Sequence, residues 1–268
     1  MSLLQAIVLG AVQGITEFVP VSSSGHLVLV PEVLGWRQPG LAFDVMLHIG
    51  SLVALLIYFS GDLLDLTRGV RDGNPTQRRL LALLAIGTIP AAIAGLALQD
   101  YFEAAFEDAR ASAWQLIVTA LILVGAEQAL RFHQARTART GAHLRKVENL
   151  NARDATVIGV AQAISILPGI SRSGSTIGAG LALSMERDDS ARFAFLLAIP
   201  ALFGASLVEL PQLGDAALGV GAAIAGFIAS LVTSYAAIAG LIRYLKTNTL
   251  YPFAAYCVVA GALYLLFF

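Results

Sequence analysis

Charge is the scarcest feature of this 268-residue chain: 13% of its residues are Asp, Glu, Lys or Arg, about half the share in soluble domains (roughly 25%). With 57% hydrophobic residues and a mean hydropathy of +0.75, there is too little polar surface for a soluble fold, and the membrane is the expected solvent. Cysteine is nearly absent. The single Cys257 lies in an apolar run, which excludes a disulfide or a Cys metal site within one chain. Residues Met1 to Val12 lack a basic stretch, and the polar Gln13 to His26 that follows has no small-residue cleavage pattern, so the first segment is expected to be retained. A net charge of −1 and a pI near 6.4 say little about partners, because in a membrane protein the placement of charge matters more than its sum. No nucleic-acid partner is expected.

What is present is a series of long apolar runs: 41–59, 80–98, 112–130, 190–209, 217–242 and 251–268. Crossing a ~30 Å hydrocarbon core takes about 20 apolar residues, so six transmembrane helices are predicted. Two further stretches, 1–35 and 152–184, are apolar at both ends and broken in the middle. The breaks are Pro20 with Ser22, Ser23, Ser24 and Gly25, and Pro168 with Gly169, Ser171, Arg172, Ser173 and Gly174. Each half is too short to cross. That is the form of a re-entrant helical hairpin, whose irregular backbone must be satisfied by protein or a wet cavity; the alternative is one proline-kinked spanning helix.

With two hairpins, the segments 60–79, 131–154, 185–192 and 243–249 share one side and hold 14 of the 17 Lys and Arg residues. The other side keeps Arg37 and Arg110 and an acidic loop with Asp100, Glu103, Glu107 and Asp108. The basic side is then cytoplasmic, and Arg172 is left inside the membrane. If 152–184 spanned instead, the arginines would divide between the two sides. Charge does not discriminate for 1–35, whose hairpin rests on analogy with the second.

The analogy is written in the residues. Shifted by 149 positions, Gln13, Ile15, Ser22, Ser24 and Gly25 fall on Gln162, Ile164, Ser171, Ser173 and Gly174. At nearly the same shift, Phe43 and Ile49 fall on Phe193 and Ile199, and AAIAGL occurs at 91–96 and 236–241. One hairpin plus three spans per copy makes an inverted-topology repeat: 1–130, a basic loop 131–154, and 155–268. Such repeats bring their irregular segments together near the midplane, so the two polar motifs should face each other.

Gln13 and Glu17 are four apart and share a helix face leading into the Ser-rich turn. An intramembrane carboxylate marks a functional site; Glu17 fits a general base, a metal ligand or a structural partner for Arg172. Arg172 is always charged and its planar fork suits phosphate. Flanked by Ser171 and Ser173, with Gly169 and Gly174 to bend the backbone and Thr176 nearby, it resembles an anion nest at a helix start. His26 could activate a serine or protonate a leaving phosphate, whereas Ser22, Ser23 and Ser24 could equally cap backbone groups. Asp44 and His48 line the cavity mouth or pair at a helix end. Glu127 reads as an i, i+4 partner of Arg131.

The stretches QGITEFVPVSSSGH (13–26) and LPGISRSGSTIGAG (167–180) resemble the two signature motifs of the undecaprenyl-diphosphate phosphatase family, also called bacitracin-resistance proteins. FDVMLHIGSL (43–52) and FAFLLAIPALFGAS (193–206) extend the resemblance over essentially the whole chain. It implies removal of the terminal phosphate from a C55 isoprenyl diphosphate with a divalent cation, Mg²⁺ or Ca²⁺, at a site open to the periplasm of the bacterial inner membrane. It implies Glu17 as the key acidic residue and Ser23 and His26 as nucleophile and acid/base candidates. Arg172 would clamp the diphosphate, assisted by Ser24, Gly25, Ser171, Ser173, Gly174 and Thr176. Gln13 stands where the family accepts Glu or Gln, so Glu17 with Gln13 is a sparse metal set that water and diphosphate would have to complete. Expected partners are the isoprenyl diphosphate and membrane lipids, with room for a homodimer.

A second phosphatase class, the PAP2-type lipid phosphatases, shares only the Ser-Gly-His tripeptide. Its pattern needs a histidine after the Ser-Arg pair, and all four histidines here, 26, 48, 133 and 143, precede Ser171. The rival from another class is a transporter or flippase of the lipid carrier, because inverted repeats with midplane hairpins are transporter architecture. A binding or scaffold protein would not need an intramembrane Glu and Arg.

Overall fold

The computed structural model of the chain describes residues 1–98, 108–209 and 219–268. The acidic residues Asp100, Glu103 and Glu107 and the start of the run 217–242 lie outside the described residues. Among those described there are eleven α-helices and no strand: α1 (Leu3–Phe18), α2 (Ser23–Val33), α3 (Leu41–Tyr58), α4 (Ser60–Arg71), α5 (Pro75–Ala97), α6 (Ala109–Thr140), α7 (Ala152–Ile164), α8 (Arg172–Ala182), α9 (Arg187–Glu209), α10 (Val220–Leu245) and α11 (Tyr251–Phe267). Five of them, α3, α5, α6, α9 and α10, are long and apolar enough to cross a bilayer. The chain is an all-helical, multi-pass membrane protein. The sixth expected span is α11, apolar but only 17 residues long.

Both broken stretches form two short helices joined by a turn. α1 stops because Pro20 pushes Val19 to extended backbone (φ −64, ψ 133), and α2 restarts with the Ser22 side chain accepting from Gly25 N–H. α7 ends at Ser165, and α8 restarts with Ser171 accepting from Gly174 N–H. At ~1.5 Å per residue none of the four helices reaches ~30 Å. The partners of each pair pack on one another.

The two pairs are also embedded alike. α1 lies along α10, and α7 lies along α5. At each crossing backbone meets backbone: a Cβ built on Gly10 would lie 2.3 Å from the Gly226 carbonyl oxygen, and one on Gly159 would lie 2.3 Å from that of Gly87. Gly10 and Gly159 are again 149 positions apart. Close approach of small residues is how helices associate where lipid removes the hydrophobic drive.

Polar segments deviate from the sequence reading. The expected loop 60–79 contains α4, which buries Leu66 and pairs Asp62 with Arg192. The expected loop 131–154 begins as ten more residues of α6, ended by Gly141 in the left-handed region (φ 70). Apolar runs locate spans, and say nothing of helix that continues into water. The expected Glu127–Arg131 pair does not form. Glu127, fully buried, accepts two bonds from Arg187 (3.1 and 2.8 Å) and one from Leu250 N–H (2.9 Å), while Arg131 lies over the Tyr251 ring at 4.9 Å. A buried carboxylate is stable only with several donors, which an exposed i+4 arginine does not supply.

Candidate active site

The two turns meet. Ser24 Oγ accepts from Gly169 N–H at 3.3 Å, and Ser173 Oγ donates to the Val19 carbonyl at 3.4 Å. A Cβ added to Gly25 would sit 3.1 Å from Gly169 Cα. Gly169 needs its freedom: its φ is 93, and a Cβ there would strike Ser112 O at 2.4 Å. Thr119 of α6 clamps this turn, donating to Gly169 O (2.9 Å) and accepting from Ser171 N–H (3.0 Å). The same serine geometry occurs twice, with Ser22 and Ser24 hydroxyls 3.2 Å apart and Ser171 and Ser173 hydroxyls 3.2 Å apart.

Glu17 is the centre of the assembly, its side chain 2% exposed. Oε2 accepts from Gln13 Nε2 at 3.0 Å and, in a short bond, from Ser23 Oγ. Arg172 forms an ion pair with Oε1. The Arg172 side chain stays 22% exposed and lines, with Glu17, Ser173 and Thr176, a narrow cleft of about 10 Å³, room for one water, walled by Phe18, Ala194, Phe195 and Ala198. Phe18 and Phe195 meet edge to face, with centroids 5.4 Å apart. The arrangement can transfer the Ser23 proton to a carboxylate while presenting a cation at the N-terminus of α8 to an anion.

Other residues are placed less as the motifs suggested. Thr176 Oγ1 turns back to the Arg172 carbonyl (2.8 Å), and Gly174 N–H is taken by Ser171 Oγ (3.0 Å). His26 is not hydrogen-bonded to Glu17, Ser23 or Arg172; Nδ1 faces the Ser22 carbonyl and Nε2 the Tyr256 hydroxyl, each at 2.7 Å. His48 comes closer to the centre: Nδ1 bonds to the Asp44 carbonyl (2.8 Å), not its carboxylate, and Nε2 lies 3.9 Å from Glu17 Oε2. Gln13 Oε1 is buried without a hydrogen-bond partner among the described residues. An oxygen of that kind beside a carboxylate suits a hard divalent cation.

The model of the bacitracin resistance protein BacA family matches residues 6–263. The chain belongs to that family. It is similar to the undecaprenyl-diphosphatase of Gloeobacter violaceus, 43% identical with 98% of this chain and 91% of the relative covered. It is also similar to the undecaprenyl-diphosphatases of Myxococcus xanthus (39% identical, covering 99% and 89%) and Methanosphaera stadtmanae (38%, covering 97% and 96%).

For this BacA-family chain, sequence reasoning missed Thr119 and Tyr256. Neither carries a local signal. Thr119 is one polar residue in an apolar span, and Tyr256 is 230 positions from its partner His26. For His48 a clue is legible, since its place one turn after Asp44 at the start of the first span fits either a cavity mouth or a helix-end pair.

Proposed function

We infer that the chain hydrolyses undecaprenyl diphosphate to undecaprenyl phosphate and inorganic phosphate, recycling a lipid carrier for cell-wall synthesis. One observation carries the chemistry: Ser23 Oγ, Gln13 and Arg172 converge on the buried Glu17 carboxylate where the two motifs meet. The names of the relatives supply the substrate class.

In this reading Arg172 turns its exposed edge from Glu17 to the diphosphate, whose charge replaces the carboxylate as its partner. Ser23 Oγ attacks the terminal phosphorus in line as Glu17 Oε2 takes its proton. The phosphoanhydride bond breaks and undecaprenyl phosphate leaves with the bridging oxygen. Glu17 passes that proton to the departing undecaprenyl phosphate, then takes one from the water that attacks the phosphoserine and returns it to Ser23 Oγ as the P–O bond breaks, so that inorganic phosphate departs and Ser23 is regenerated. Glu17 and Gln13 Oε1 would hold Mg²⁺ or Ca²⁺, which when bound neutralises charge on the phosphate oxygens. Positioning and charge neutralisation are what phosphoryl transfer chiefly needs.

The topology that goes with this reading is six spans and two re-entrant hairpins in an inverted repeat, 1–130 and 155–268, joined through 131–154. The reciprocal α1–α10 and α7–α5 pairings support it. The bias of Lys and Arg to one side supports an orientation with that side cytoplasmic and the site open to the periplasm of the bacterial inner membrane. The test is phosphate release from a C55 isoprenyl diphosphate by detergent-solubilised protein, with and without chelator. Hydrolysis that chelator suppresses and Ser23→Ala abolishes is expected. No release in detergent, where there is no bilayer to transport across, would overturn the enzyme reading in favour of a carrier.

A further inference from the structure

Ser22, immediately before Ser23, stands at φ 70 and ψ 105, in the left-handed half of the backbone map that side chains rarely adopt. Its counterpart Ser171 makes the same cap, accepting from the amide three residues on, and meets the serine two positions on in the same way. Yet it sits at an ordinary φ of −70. The next position in the 149-residue register separates the copies: His26 in the first, Ser175 in the second.

The hydrogen bonds show what the histidine does. In the second copy the Ser171 carbonyl accepts the ordinary helical bond from Ser175 N–H at 2.8 Å, and the buried Ser175 hydroxyl has no partner among the described residues. In the first, the corresponding bond from His26 N–H is stretched to 3.3 Å, and the imidazole Nδ1 approaches the Ser22 carbonyl to 2.7 Å. A carbonyl only accepts, so the proton is assigned to Nδ1, and with the ring neutral Nε2 then presents a lone pair. The Tyr256 hydroxyl, 2.7 Å from Nε2, therefore donates to it. The two rings are nearly parallel, 12° apart with centroids at 5.6 Å.

We propose that Tyr256 of α11 is a positioning residue for phosphate release: its O–H···Nε2 bond selects the Nδ1–H form of His26, which holds the Ser22 carbonyl in the strained turn that sets Ser23 Oγ against Glu17. The other tautomer would point a lone pair at the carbonyl oxygen and lose that bond. Tyr256 thus acts through His26 and Ser22 and does not itself touch the reacting phosphate. The inference rests on the reading of Ser23 and Glu17 as the reacting pair.

Tyr256→Phe removes the hydroxyl alone and leaves the stacked ring. With purified protein in detergent and C55 isoprenyl diphosphate, kcat is expected to fall about 10- to 100-fold, the loss typical of a misplaced reacting group, with KM and melting temperature unchanged. In ¹⁵N NMR of histidine-labelled protein, with the His26 signal identified by its loss in His26→Gln, the single Nδ1–H signature should give way to a mixture of tautomers. Wild-type kcat, an unchanged His26 signature, or a loss of activity accompanied by a lower melting temperature would each overturn the proposal. Ser23→Ala tells the two levels apart: if it is active, the Ser23 reading itself fails; if it is inactive while Tyr256→Phe is normal, only the role of Tyr256 falls.

Discussion

Arg172, at the first position of α8, forms an ion pair with Glu17 at the end of α1. The pair joins the two motifs, and in the proposed reaction the diphosphate would compete with Glu17 for the guanidinium. Its strength is then a compromise, because an arginine held too firmly by Glu17 is unavailable to a diphosphate.

Arg172→Ala should therefore have two separable effects. Turnover of isoprenyl diphosphate should drop by at least about 100-fold, the usual size for removing a charge-stabilising group. The melting temperature should fall as well, because Glu17 is left as an uncompensated buried charge. Adding Glu17→Gln should restore the melting temperature and leave activity absent. Thermal unfolding and phosphate release on the single and double variants check both halves.

Gly159→Leu should loosen the α7–α5 crossing, where even a Cβ would come within 2.3 Å of the Gly87 carbonyl oxygen. Overpacking of this kind costs about 1–3 kcal/mol, read as a lower unfolding midpoint in detergent. Gly125, with nothing near its Cβ position, should accept alanine without loss.

Glu127→Ala should destabilise by about 3–5 kcal/mol, because it leaves Arg187 unpaired and Leu250 N–H without its acceptor. Arg187→Ala should cost a similar amount, and the double variant less than the sum of the two. Denaturant unfolding of the four proteins measures that coupling.

Asp154 gives a pH dependence outside the spans. Burial alone would raise its pKa, but the bonds from Arg145 (3.2 and 2.5 Å) and from Asn151 N–H (2.8 Å) outweigh it and hold the carboxyl below its ordinary 3.8. A depressed folded-state pKa contributes stability that is complete above the unfolded value and lost as pH falls through the folded one. Stability should therefore decline below about pH 4, and Asp154→Asn should flatten that limb in thermal scans across pH.

By itself the sequence determined what is local or repeated. Pro20 and the Ser-Gly turns break helices wherever they stand, Gln13 and Glu17 share a face by helical spacing, and the 149-residue register announces the same element twice. The family followed from those letters. Only the tertiary structure decided which of several competent partners each polar group met. Glu127 had Arg131 one turn away and took Arg187 and Leu250 N–H from other elements; His26 sits close to Ser23 in sequence and is bonded to Tyr256. In a buried setting most donors and acceptors find a partner, and the one each finds depends on how helices distant in sequence are packed. No spacing along the chain encodes that.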